Sequence, residues 1–173
     1  MFTKVIGVSL VISVTGWIGL QKAYQLSRRT RAIREMRMAL DFLEKEISYA
    51  RNPLEEALKR TANVSSEPIK GFFGRVSRVL REDLSTPARE AWSQGINHLC
   101  EQQVFTAEDL AIIGLIGTRI GASDASDQIR MLRQAGAELK IQEDKSRQQE
   151  DSEKKIWSYG GFLVGLIISI LMI

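Results

Sequence analysis

The chain has 173 residues, a formal net charge of +3 and a single cysteine, Cys100. That length suits one ordinary domain, and one thiol excludes an internal disulfide within the chain. The averages hide a partition, because no charged residue occurs from Val5 to Gln21 or from Ile156 to Ile173, and every acidic residue lies between those runs.

The first run is about 26 Å long as a helix, slightly under a hydrocarbon core. It is predicted to span a membrane with Trp17 at an interface. A cleaved signal peptide is the alternative, but WIGLQKAY carries no A-x-A-like cleavage site, which favours a retained anchor. Residues 1–21 are therefore expected to form an N-terminal transmembrane helix. Ser9-x-x-x-Ser13 and Thr15-x-x-x-Gly19 give it faces of small residues suited to helix packing.

The middle, residues 22–141, reads as a helical bundle. Ile33, Met36, Leu40, Leu43, Ile47 and Ala50 alternate at spacings of three and four, so a long first helix with one apolar seam is predicted to run out of the membrane to about Ala50. Asn52-Pro53 ends it, with Asn52 as the expected N-cap and Pro53 as the first residue of a short helix carrying Leu54, Ala57 and Leu58. A third helix is predicted from about Glu67 to Arg81, with Ile69, Phe72, Phe73, Val76, Val79 and Leu80 inward. Ser85-Thr86-Pro87 opens a fourth with Ala91, Trp92, Ile96 and Leu99. Thr106 starts a fifth, with Asp109 at an imperfect capping-box position. Its apolar stretch Leu110–Ile116 predicts the central helix of the bundle, where Gly114 and Gly117 would admit close neighbours.

Ser123 is the expected cap of the last helix, whose seam is Ile129, Leu132, Gly136 and Leu139. Residues 142–155 are wholly polar, and Glu143–Arg147, Glu150–Lys154 and Asp151–Lys155 are favourable i,i+4 pairs worth about 0.2–0.5 kcal/mol each. They predict a solvated helical stalk continuous with residues 156–173, the second transmembrane helix. Gly161-x-x-x-Gly165 is its small-residue face. These faces suit either packing of the two anchors of one chain or packing between chains in a homo-oligomer. Basic residues crowd the inner flank of each run, so the positive-inside rule places the middle in the cytoplasm and both termini outside. A lone Cys100 agrees with a reducing compartment.

Chemistry is sparse. His98 is the only histidine, and with Cys100 it cannot complete a tetrahedral metal site. At i,i+2 the two point to different helix faces. No phosphate-binding, dinucleotide-binding or nucleophile-elbow motif occurs. No metal or cofactor is expected, and the chain reads as a non-enzyme. Arg28, Arg29, Arg31 and Arg34 lie close to the first anchor and lack interleaved aromatics, so anionic lipid headgroups explain them better than nucleic acid. Glu44 and Glu46 flank the seam and read as a solvated face, a partner contact or a hydrogen bond within the bundle.

RMALDFLEKEISYARNPLEEAL (Arg37 to Leu58) and IGTRIGASDASDQ (Ile116 to Gln128) resemble the signature of the stage III sporulation protein AB family of endospore-forming bacteria. Leu40, Leu43, Glu44, Glu46, Ile47, Tyr49, Pro53, Leu54 and Ala57 all sit where that pattern puts them; Asn52 departs from its Thr. The likeness, which covers essentially the whole chain, implies an all-α, six-helix cytoplasmic bundle like that of the inner-membrane platform proteins of type II secretion and type IV pilus systems. It implies a scaffold role in the channel between mother cell and forespore, in the outer forespore membrane. Its implied partners are the secretion-type ATPase, stage III sporulation protein AA, and other membrane components of the complex. Glu44, Glu46, Tyr49, Asn52 and Pro53 are the expected partner surface or its support. A membrane-anchored helical adaptor or sensor without a secretion role is the rival reading; a membrane-bound hydrolase has no support from the residues.

Overall fold

The computed structural model describes the backbone of residues 2–50, 52–83, 85–121 and 124–172, and the side chains among these except at 2–20, 22–23, 50 and 154–172. Its regular structure is helical throughout the described residues: α1 (Phe2–Lys45), a π-helical turn (Glu46–Ala50), α2 (Leu54–Val64), α3 (Ile69–Glu82), α4 (Ala88–Glu101), α5 (Ala107–Gly117) and α6 (Ala125–Met172). The chain divides into two compact units, one drawn from its two ends (up to Arg28 and from Lys145) and one formed by Arg29–Asp144.

The predicted seam of α1 is the spine of the larger unit. Ile33, Met36, Leu40 and Leu43 are each at most 1% exposed. Against this unit's core α3 contributes Ile69, Phe72, Phe73 and Val76, and α4 contributes Ala91, Trp92 and Leu99. Phe72, Phe73 and Trp92 meet edge to face, with centroids 4.8 and 4.9 Å apart around Phe72. That is the arrangement the ring quadrupoles favour. The indole Nε1 of Trp92 donates to the carbonyl of Ile113 at 2.9 Å, so the one polar atom of this cluster's largest side chain is satisfied.

Trp92 also sets the rotation of α5. A Cβ at Gly117 would come within 2.5 Å of its Cδ1, so only glycine lets the ring lie there. The central position expected for α5 is not observed. Asp109, Ile113, Ile116 and Gly117 face inward, while Leu115 is 57% exposed and a Cβ at Gly114 would meet nothing within 4 Å. The reason is that Trp92 at one end and Asp109 at the other hold one face against the bundle, which is too small to enclose a whole helix. The capping box is complete: Asp109 N donates to Thr106 Oγ1 at 3.3 Å, and Thr106 N donates to Asp109 Oδ2 at 2.9 Å.

Two helix starts differ from expectation. Asn52 does not cap α2; Pro53 occupies the N-cap position with no side-chain bond, and the Asn52 amide is spent on Glu46. Before α4 it is Asp83 that organises the turn, accepting from Ser85 N, Ser85 Oγ and Thr86 Oγ1. These bonds, led by Ser85, hold its carboxyl below the usual range. Ser123 lies outside the described residues, and α6 opens at Ala125.

Residues 142–155 are helical, as the charge spacing predicts, yet not solvated all round. Gln142 and Glu143 are 5% and 4% exposed, and Ser146 and Glu150, which belong to the smaller unit, are buried too. The seam of α6 continues as polar residues at the same spacing. Glu143 pairs with Arg34 and Arg37, not with Arg147; the i,i+4 pair formed here is Lys140–Asp144. Among the described residues no helix is long and apolar enough to cross a membrane. The side chains of residues 5–20 and 156–173, including Ser9, Ser13, Thr15, Gly19, Gly161 and Gly165, lie outside them, as do those of Lys154 and Lys155.

Candidate partner-docking site

The end of α1 carries an exposed aromatic side chain. Its last turn widens into the π-helix Glu46–Ala50, which leaves Tyr49 85% exposed. Such turns occur as single insertions in α-helices and are frequent at functional positions. The carboxylates on either side are anchored internally. Glu44 Oε1 accepts from Arg133 Nε at 2.9 Å and Nη2 at 2.7 Å, tying α1 to α6. Glu46 Oε2 accepts from Asn52 Nδ2 at 2.8 Å and lies 3.8 Å from Arg60 Nη1, tying the turn to α2. Beside it Ile47, Asn52 and Leu54 with Ala125 and Ile129 of α6 line an open recess of about 460 Å3. Pro53 is exposed at its edge.

The five residues expected as partner surface thus come together, but in two roles. Tyr49 and Pro53 face outward, while Glu44, Glu46 and Asn52 brace them. The alternative of a hydrogen bond within the bundle is what Glu44 and Glu46 make.

The basic set after the first uncharged run is likewise divided. Arg29 grips Asp109 with Nε at 2.9 Å and Nη2 at 3.0 Å, and the Asp109 side chain is fully buried. Burial alone would push that carboxyl up; the Arg29 bonds and those of Thr106 outweigh it and hold it below the usual range. Arg34 Nε and Arg37 Nη1 bind the two oxygens of Glu143 at 2.9 and 2.6 Å. Here too burial pushes up and the two guanidiniums pull the carboxyl down further. Arg37 also donates to the carbonyl of Gly136 at 3.3 Å. The Arg28 guanidinium lies 5.9 Å from the Tyr24 ring centroid, and Arg31 is exposed. Of the four arginines assigned to lipid, Arg29 and Arg34 are engaged with carboxylates of the bundle.

Sequence reasoning missed Arg37, Arg60, Arg133 and Glu143 as polar ties, and saw Asp109 only as half of a cap. The pairs of Arg29, Arg34, Arg37 and Arg133 join residues 80 to 109 positions apart, for which a single sequence carries no signal, and Arg60 reaches Glu46 across the turn into α2. Cys100 is exposed, and the Nε2 of His98 is buried without a hydrogen-bond partner. Among the described residues no three His, Cys, Asp or Glu are grouped to hold a metal.

Fold and site define an all-α helical-bundle protein, whose first and last helices are locked together by charge and whose described polar clusters serve its own architecture. The chain belongs to the stage III sporulation protein AB family, whose model matches residues 4–173. It is 27% identical over 169 residues to the stage III sporulation protein AB of Bacillus subtilis (strain 168), covering 98% of both chains. A solved structure of a stage III sporulation protein AB superposes with a TM-score of 0.67 at 26% identity, covering 72% of this chain and 98% of that one.

Proposed function

We propose that this protein is a non-enzymatic membrane platform of the mother cell–forespore channel complex, docking a cytoplasmic secretion-type ATPase, stage III sporulation protein AA. Family membership supports the sporulation role. The two uncharged terminal runs support anchoring in the outer forespore membrane, with the bundle in the cytoplasm and the basic flanks, Arg28 and Arg31 among them, against lipid headgroups. Small-residue faces at Ser9/Ser13 and Gly161/Gly165 suit anchor packing within the complex.

The observation that carries the docking reading is Tyr49. A large aromatic 85% exposed, on a π-turn braced from both sides by Glu44 and Glu46, is pre-organised for contact. Tyrosine is favoured at interface anchors because it buries much area at small conformational cost. The test is binding of the purified ATPase to the full chain in lipid nanodiscs. Tyr49→Ala is expected to weaken binding at least about tenfold, a hot-spot loss of roughly 1.4 kcal/mol or more. Its helicity and melting temperature should not change. Unaltered affinity removes the turn from the interface; no binding by the parent chain removes the platform reading itself.

A further inference from the structure

The outer face of α3 is predominantly cationic, with Glu82 as the one carboxylate of the helix. Lys70, Arg75, Arg78 and Arg81 are exposed on it, opposite the buried Ile69, Phe72, Phe73 and Val76. Elsewhere Arg29, Arg34, Arg37, Arg60, Arg130 and Arg133 each hold a carboxylate. None of the four α3 cations pairs with a carboxylate among the described residues. With Lys59 of α2 they line a recess of about 410 Å3 that contains one carboxylate, Glu67. Its hollow comes from Gly74, which places no side chain there. The space a Cβ at Gly71 would need is taken by the His98 ring, 2.3 Å away, and at Gly74 the nearest atom is 4.0 Å off.

We propose that this α2–α3 face is a second docking surface, for an acidic segment of a partner protein. Unpaired like charges held three residues apart, as Arg75, Arg78 and Arg81 are, repel one another, so an acidic segment that seats among them relieves that repulsion and gains the attraction. The other polyanions fit less well. Nucleic-acid surfaces stack bases on aromatic side chains; the one aromatic ring in this lining, His98, is packed against Gly71 with its Nε2 buried, and no Phe, Tyr or Trp joins it. A bilayer surface is bound through apolar insertion together with charge. The large apolar side chains Ile69, Phe72 and Phe73 of α3 are turned into the core at 0% exposure, and the cations line a hollow that a flat surface does not enter. The proposal is independent of the Tyr49 turn.

The test uses the full chain in neutral-lipid nanodiscs at about 50 mM salt, where charges still act beyond 10 Å. The probe is a synthetic helical peptide with Glu at three- and four-residue intervals, read by fluorescence anisotropy against its Gln counterpart. The Glu peptide should bind, the Gln peptide should not, and Arg75→Glu with Arg78→Glu should weaken binding about tenfold or more. A control with the same charge change elsewhere, Lys45→Glu with Arg147→Glu, should stay within about twofold. Equal weakening in both double variants, or equal binding of the two peptides, overturns the proposal. So does binding of phosphatidylglycerol vesicles or a single-stranded oligonucleotide through Arg75 and Arg78 when the Glu peptide does not bind.

Discussion

Replacing Asp109 by alanine tests the tie between α1 and α5. The carboxylate has no exposed area, and Arg29 is 14% exposed. Its Oδ2 accepts from both Arg29 Nε and Thr106 N, and Oδ1 accepts from Arg29 Nη2. Removing one partner of a buried pair costs about 3–5 kcal/mol, because the other charge is left uncompensated. Arg29 keeps some contact with water, which favours the lower end. Loss of a cap adds about 1 kcal/mol, partly overlapping, since one oxygen serves both bonds. The expected total is about 3–4 kcal/mol, a large share of the stability of one domain. At roughly 2–4 °C per kcal/mol for a chain of 173 residues, melting should fall by at least about 6 °C. The assay is thermal unfolding of the full chain in detergent, followed by circular dichroism and by near-ultraviolet signal from Trp92. Replacing both partners, Asp109→Leu with Arg29→Met, should cost less than Asp109→Ala alone, because no orphan charge remains. A fall of under about 1 kcal/mol for Asp109→Ala, or a worse double variant, refutes the assignment of the pair as a structural clamp.

Two glycines of α5 should respond with opposite signs. Gly117→Ala drives a Cβ toward Trp92 and should destabilise by about 1–3 kcal/mol, whereas Gly114→Ala meets open space and should stabilise by up to about 1 kcal/mol through helix propensity; denaturant midpoints measure both. Acid should loosen the bundle through Asp109 and Glu143. Both folded carboxyls titrate below their ordinary values of 3.8 and 4.5, so their contribution is fully present above those values. It is lost as pH falls through the lower folded-state values. The acid limb of a stability-against-pH curve should therefore flatten in Glu143→Gln, and an unchanged limb would contradict the pairing with Arg34 and Arg37. Cys100, being exposed, should react with a maleimide in the folded full chain at a rate near that of a free thiol.

Most of the helices were legible because their causes are local. The alternation of Ile33, Met36, Leu40 and Leu43 requires a stripe on one face of a helix wherever the chain folds, and those residues are the buried ones. Thr106 and Asp109 lie three residues apart, so their reciprocal cap could be read from spacing alone. The turn after α1 was half legible. Asn52 was read as a cap but bonds to Glu46 instead, and for Glu46 the hydrogen bond within the bundle, one of the readings its position left open, is the one formed.

Composition and periodicity by themselves determined that this is a helical protein with two uncharged ends and a balanced middle. Those properties depend only on each residue's nearest neighbours along the chain. Which face of α5 turns inward, and which arginine meets which acid, was decided only in three dimensions. Trp92 fits against Gly117 because α4 and α5 pack, and Arg29 meets Asp109 across 80 positions of sequence. A charge beside a long uncharged run looks like a lipid contact until the fold brings a buried carboxylate within 3 Å of it. Desolvation then makes that partner, rather than the headgroup, the stronger claim on the guanidinium.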